Sequence, residues 1–160
     1  MFRFFITTLI FLGAVLSSHA QFGLELPEDK VKITFEVDQK GDEATVIAKV
    51  SIVKGWHINA SKLPAGSFGI PTTFVLTKSK NFSEVGGIVE PKPINKYDEL
   101  ADEHLSYHEG SFTLKRKVKV NAENDFKLDG EVNFQTCNEV KCLPDHTYKF
   151  SLPVKGIGKL

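Results

Sequence analysis

Val31-Lys32-Ile33-Thr34-Phe35-Glu36-Val37 places an apolar residue at every second position, with Lys32, Thr34 and Glu36 between them. Successive side chains of an extended strand point to opposite faces, so this period of two describes a strand with one face in a core and one in water. The polar run Asp38-Gln39-Lys40-Gly41-Asp42 follows as a turn, and Val46, Ala48, Val50 and Ile52 resume the alternation. Two alternating arms around a glycine-containing turn predict a β-hairpin.

Outward from this hairpin the pattern repeats. Gly55 closes the second arm, and Trp56-His57-Ile58-Asn59 opens a less regular segment. Ser61 to Pro71, rich in Gly, Pro and Ser, predicts a long loop. Thr72 to Thr77 reads as a strand, and Phe82 to Val89, interrupted by Gly86-Gly87, as two short strands or a bulged one. Pro91-Lys92-Pro93 breaks any ladder there. Lys96 to His104 is charged and predicts, at most, a helical turn.

Phe112, Leu114, Val118 and Val120 alternate with Lys115, Lys117 and Lys119, and Arg116 on the apolar face is expected to snorkel. Val132, Phe134 and Thr136 lead into a cysteine, and Tyr148, Phe150, Leu152 and Val154 form the last strand. Seven or eight short strands, with turn signals at close spacing and no helix of ordinary length, predict an all-β fold. The expected architecture is an immunoglobulin-like antiparallel β-sandwich of two sheets. The Cys…Trp…Cys spacing of antibody domains is absent, so no inter-sheet bridge is expected.

The N-terminus reads differently. Arg3 is the only charge before an almost wholly apolar run from Phe4 to Leu16, and Ser18-His19-Ala20 places small residues at the −3 and −1 positions of a cleavage site. Residues 1–20 are therefore expected to be a signal peptide cleaved before Gln21, leaving residues 21–160 as one exported domain. Such a domain is long enough to bury a core without covalent help. The 20 basic and 20 acidic residues balance, which argues against nucleic acid or an anionic membrane surface as a partner.

The two cysteines, Cys137 and Cys142, lie in Phe134-Gln135-Thr136-Cys137-Asn138-Glu139-Val140-Lys141-Cys142-Leu143-Pro144. The pattern puts them at the mouth of the hairpin between strands ending near Thr136 and beginning near Thr147. Exported compartments let disulfides persist. In the chain-entropy model a loop of about six residues stabilises by roughly 2 kcal/mol, against about 4.7 kcal/mol for 100 residues. A local bridge is a weak staple, and it opens without unfolding its host. On these grounds a structural bridge in a passive immunoglobulin-like binding or adhesion module and a redox pair both stay open. Glu139 tends to raise the pKa of a neighbouring thiol and Lys141 to lower it, so the attacking sulfur is not assigned.

Phe134 to Pro144, with Gly55-Trp56-His57-Ile58-Asn59 and Pro71-Thr72-Thr73-Phe74 upstream, resembles the N-terminal (alpha) periplasmic domain of the thiol:disulfide interchange protein DsbD. The similarity runs from about Glu25 to Val154. Its most specific part is an aromatic, two intervening residues, a cysteine pair and a proline soon after.

The resemblance implies an immunoglobulin-like sandwich and a thiol:disulfide interchange protein of the protein-disulfide reductase type. Cys137 and Cys142 match the redox pair, which relays electrons to disulfide isomerases and cytochrome c maturation thioredoxins. A cap loop shields the pair in that family; Asp98, Glu99 and Leu100 stand in its place, with Leu100 where an aromatic is usual. His57 and Asn59 stand where aromatic hydroxyls are common, and act as near-site modulators together with Glu139 and Lys141. DsbD chains continue into a transmembrane domain and a thioredoxin-like domain. With this sequence ending at Leu160, a standalone periplasmic domain is expected, served by thioredoxin-fold proteins and a separately encoded DsbD-like membrane donor.

Other chemistries fit poorly. A metal site from Cys137, Cys142 and His146, with His57 or His104, lacks the usual spacing and second pair, so neither metal nor cofactor is expected. Nucleophilic catalysis by a cysteine with His146 has no fixed geometry at that spacing. Asp98, Glu99, Asp102 and Glu103 read as a solvated charged turn rather than paired catalytic carboxylates.

Overall fold

The alternation of Val31–Val37 and Val46–Ile52 is realised as the longest hairpin of the fold in a computed structural model, which describes residues 24–99 and 102–158. The expected signal peptide and Leu100 lie outside the described residues. A four-residue helix α1 (Pro27–Lys30) precedes β1 (Val31–Lys40), which pairs antiparallel with β2 (Glu43–Ile52) from Val31↔Ile52 to Lys40↔Glu43. Gly41 sits in the connecting turn at φ 62°, a left-handed conformation that suits glycine.

The remaining strands are β3 (His57–Asn59), β4 (Thr73–Leu76), β5 (Phe82–Val89), β6 (Ile94–Asp98) and β7 (Glu103–Glu109). After them come β8 (Ser111–Val120), β9 (Phe126–Phe134), β10 (Thr136–Cys137) and β11 (His146–Val154). They form three antiparallel ladders, ordered β1-β2-β8-β5, β11-β9-β4 and β10-β3-β7-β6. The all-β sandwich is as expected, with more strands than the alternation alone marks.

The first two ladders meet through their apolar faces. Phe35 of β1 stacks on Phe150 of β11 at 4.5 Å, and Phe74 of β4 meets both rings edge-on at 6.4 and 5.8 Å. Val46, Ala48, Leu114, Leu128, Val132 and Phe134 fill the space around them and are fully buried. The third ladder continues the first across a bend. β2 passes into β3 and β7 into β8, with residues 53–56 inserted on one side opposite Gly110. The Ile52 amide donates to the Gly110 carbonyl at 2.9 Å, and Gly55 and Gly110 take left-handed φ of 84° and 69°.

Two expectations need correction. The described residues of Lys96–His104 belong to a hairpin of β6 and β7 rather than a helical turn, with Asp102 at φ 53°. The pattern misleads because the buried positions of β7 are Ser106 and His108 rather than apolar residues. Arg116 does not simply snorkel to water; its guanidinium pairs with Glu84 on the neighbouring strand β5, and burial lowers its pKa. As expected, β5 is bulged, with a register shift between Val85 and Val89.

A partly buried polar cluster ties the third ladder to the connections around it. His108 Nε2 lies 3.0 Å from Glu90 Oε2, while the Ser61 hydroxyl and amide donate to the same carboxylate at 2.6 and 3.1 Å. Burial opposes the charge on Glu90, yet the Ser61 and His108 hydrogen bonds outweigh it and lower its pKa.

Gly130, opposite both Leu76 and Phe150, has no room for a side chain. A Cβ there would stand 2.5 Å from Phe150 Cζ and 2.6 Å from the Val75 carbonyl oxygen. Gly130→Ala is therefore expected to destabilise by about 1–3 kcal/mol through overpacking, read as a lower urea midpoint at unchanged slope. An unaltered midpoint would show that β4 shifts away at no cost.

Candidate functional site at the cysteine loop

β9 and β11 pair down to Phe134↔His146, where a simple hairpin would close. Instead the chain runs on through Gln135 into β10, which pairs with β3 as Thr136↔Ile58 and Cys137↔His57. The cysteine segment is thus more than a hairpin mouth, because it crosses from one ladder to another. Thr136 is fully buried, and its hydroxyl donates to the His57 carbonyl at 3.0 Å.

The loop beyond Cys137 is shaped by Asn138. Its side-chain oxygen accepts the amides of Val140 and Lys141, each at 2.8 Å, and its own amide donates to the Lys141 carbonyl at 2.9 Å. Asparagine suits this role because its short side chain imitates a backbone turn. The Leu143 amide then donates to the Thr136 carbonyl at 2.9 Å, which returns the chain beside β10. Cys137 and Cys142 face each other across this loop, Cα atoms 4.0 Å apart, joined as a disulfide.

The two sulfur positions are unequal. Cys137 is 6% exposed and held in the ladder, whereas Cys142 is exposed and Val140 at the loop tip is 90% exposed. Exchange requires an attacking thiolate to approach one sulfur in line with the bond. Of the two residues, Cys142 is the one open to solvent and Cys137 the one held in the ladder.

Among the residues singled out in the sequence, His57 lies directly across the ladder from Cys137, on the same face. Its ring rests on Tyr107 at 4.6 Å. Asn59 is buried and braces the long loop instead, its amide donating to the Ile70 carbonyl at 2.9 Å. Glu139 and Lys141 are exposed in the cysteine loop. Asp98 and Glu99 lie where β6 turns toward β7. Glu103, where β7 begins, is separated by six residues along that strand from Glu109, which stands level with His57 and Cys137.

Charges that the sequence reading did not single out also gather here. Glu25 pairs with Lys141 and, at 3.0 Å, with Lys30; Lys30 Nζ lies 5.1 Å from the centre of the Trp56 ring. His146 Nδ1 stands 3.4 Å from Glu28 Oε2 rather than beside a sulfur ligand set. Among the described residues no cluster of His, Cys, Asp or Glu is placed to hold a metal ion. Only the density of charge just before β1 could have pointed to these pairs.

Burial lowers the His57 pKa from its ordinary 6.5, with Glu109 partly offsetting the effect. The folded state then binds fewer protons than the unfolded chain in mildly acid solution. Stability is therefore full above the unfolded value and is lost as pH falls through it toward the folded one. The urea midpoint is expected to drop between about pH 7 and 5.5, in the range where an unfolded histidine gains its proton. A smaller drop is expected in His57→Phe; equal drops would place the proton elsewhere.

The sequence matches, over residues 25–153, the family described as thiol:disulfide interchange protein DsbD, N-terminal. No curated protein matches the chain. The N-terminal periplasmic domain of ScsB from Proteus mirabilis superposes with a TM-score of 0.56 at 19% identity, covering 82% of this chain and 49% of that one. This chain therefore spans about half the length of the ScsB chain. The reduced DsbD N-terminal domain of Neisseria meningitidis gives 0.52 at 18% identity, covering 83% and 92% of the two chains. The complex between the DsbD and PilB N-terminal domains of the same organism gives 0.51 at 15%, covering 81% and 87%. At such identities the superpositions speak for the fold, and the family match speaks for kinship. Matched from Glu25 to Pro153 with both cysteines inside the match, the chain belongs to the DsbD N-terminal domain family.

Proposed function

We propose that this chain is an exported relay domain whose Cys137–Cys142 pair exchanges disulfides with thioredoxin-fold proteins. The observation that carries the reading is the inequality of the two cysteines, one exposed in a loop and one buried in a ladder. A partner thiolate attacks Cys142 Sγ, forming an intermolecular disulfide and releasing Cys137 as a thiolate. The partner's second thiolate then displaces Cys142. The partner leaves oxidised, and the domain keeps two electrons and takes up two protons. The reverse sequence passes those electrons to the next protein.

Several facts support this reading. The fold resembles that of a Neisseria DsbD domain in its reduced form, as expected of a scaffold that tolerates an open pair. A DsbD N-terminal domain of that organism forms a complex with a PilB domain, which is a precedent for docking. The ScsB domain is periplasmic, which agrees with cleavage of residues 1–20 before Gln21 and a periplasmic mature domain from 21 onward. The immediate electron source in this reading is a DsbD-like membrane protein, and the acceptors are disulfide isomerases or cytochrome c maturation partners. The cap that limits access to Cys142 is proposed, from the family resemblance, for Asp98, Glu99 and Leu100, although Glu103 at the foot of that turn stands six positions along β7 from the residue level with Cys137.

With Cys137→Ser, Cys142 is expected to trap a thioredoxin-fold protein as a mixed disulfide on a non-reducing gel, and Cys142→Ser is expected to trap far less. Failure of both variants to trap would favour a passive module with a structural bridge. Leu100→Ala is expected to accelerate reduction of the disulfide by a small thiol severalfold. An unchanged rate would remove Leu100 from the cap.

A further inference from the structure

The short segment before β1 lies along the cysteine loop and grips it on both sides of Cys142. Glu25 reaches Lys141, the residue just before Cys142, and Glu28 reaches His146, four residues after it. Between these anchors run Cys142, Leu143, Pro144 and Asp145, of which Leu143 is buried. The segment is itself fastened. Pro27 is buried, the Val53 amide donates to the Lys30 carbonyl at 2.9 Å, and the Tyr148 hydroxyl donates to the Val31 carbonyl at 3.0 Å.

Lys141 is the one cation between the two cysteines in sequence, and Glu139 the one anion. A nearby ammonium group stabilises a thiolate, and its neutralisation by a carboxylate withdraws that help. The geometry points to Glu25 as a positioning residue for the reduced pair: by holding the Lys141 ammonium it sets how readily Cys142 forms a thiolate. This rests on the redox reading above. The other charged or titratable groups around the loop are Glu139, Asp145, Glu28 and Lys30, His146 on β11, His57 on β3 and Glu109 on β7. Glu25 is itself held in its charged form, because its hydrogen bonds to Lys141 and Lys30 lower its pKa.

In the step that passes electrons on, the Cys142 thiol loses its proton to water and its thiolate attacks a partner disulfide. One S–S bond forms as the other breaks, and the partner's second sulfur leaves as a thiolate. Glu25 touches none of these atoms and acts only through Lys141.

The test uses the full chain with Cys137→Ser, so that Cys142 is the single thiol, and follows alkylation by iodoacetamide against pH. Adding Glu25→Gln is expected to move the midpoint of the rate profile to lower pH. At neutral pH and low salt the rate should rise about two- to fivefold, the scale of an exposed ion pair. The gain should shrink at high salt. Glu25→Asp should restore the parent profile, and Lys141→Met should move the midpoint the other way. Once Lys141 is Met, Glu25→Gln should change nothing further. Identical profiles for the parent and Glu25→Gln, or an equal shift without Lys141, would overturn the proposal. Neither result depends on trapping a partner, so failure of this inference is separable from failure of the redox reading.

Discussion

Two ladder pairs, Thr136 with Ile58 and Cys137 with His57, are the constraint on which the site depends. Without them the chain leaving β9 would close directly onto β11, and both cysteines would share one mobile loop. With them, one sulfur belongs to a sheet and the other to the surface. Thr136 secures the arrangement by offering three contacts at once. Its buried side chain fills the interior, its hydroxyl donates to the His57 carbonyl, and its own carbonyl accepts the Leu143 amide. A buried hydroxyl without a partner would cost free energy, so this position suits threonine only because β3 supplies the acceptor.

The third ladder is stiffened from the other side by Ser61, Glu90 and His108. A half-buried carboxylate is tolerable when it is paired and its lone pairs are used, and here a hydroxyl, an amide and an imidazole all converge on one group. The contacts draw the start of the long loop and the end of β5 onto β7. β3, which carries the cysteine strand, therefore has a fastened neighbour behind it.

Much of the fold was legible in the sequence because β1, β2, β8 and β11 are half-buried, and half-burial writes a period of two. β6 and β7 were not legible, since the inward positions of β7 are Ser106 and His108 and a hydropathy pattern inverts there. The cysteine pair was visible from its spacing and its surrounding motif. Its inequality was not, because it arises from the pairing of β10 with β3, which the Thr136–His57 hydrogen bond joins across 79 residues of sequence. Glu25 was hidden for the same reason: its partner Lys141 lies at the other end of the chain, and no local period connects them.

Asn138 gives the cysteine loop a shape that owes nothing to sulfur. Its three hydrogen bonds and the Leu143–Thr136 bond are all independent of the S–S link. When that link opens, the two thiols stay within reach of one another, one fixed in the sheet and the other at the end of a pre-bent turn. In the proposed exchange, a protein held on Cys142 faces Cys137 as an internal competitor, at an effective concentration above the millimolar level of a flexible tether. On the relay reading proposed above, a pair built this way has no need of tight docking to its partners.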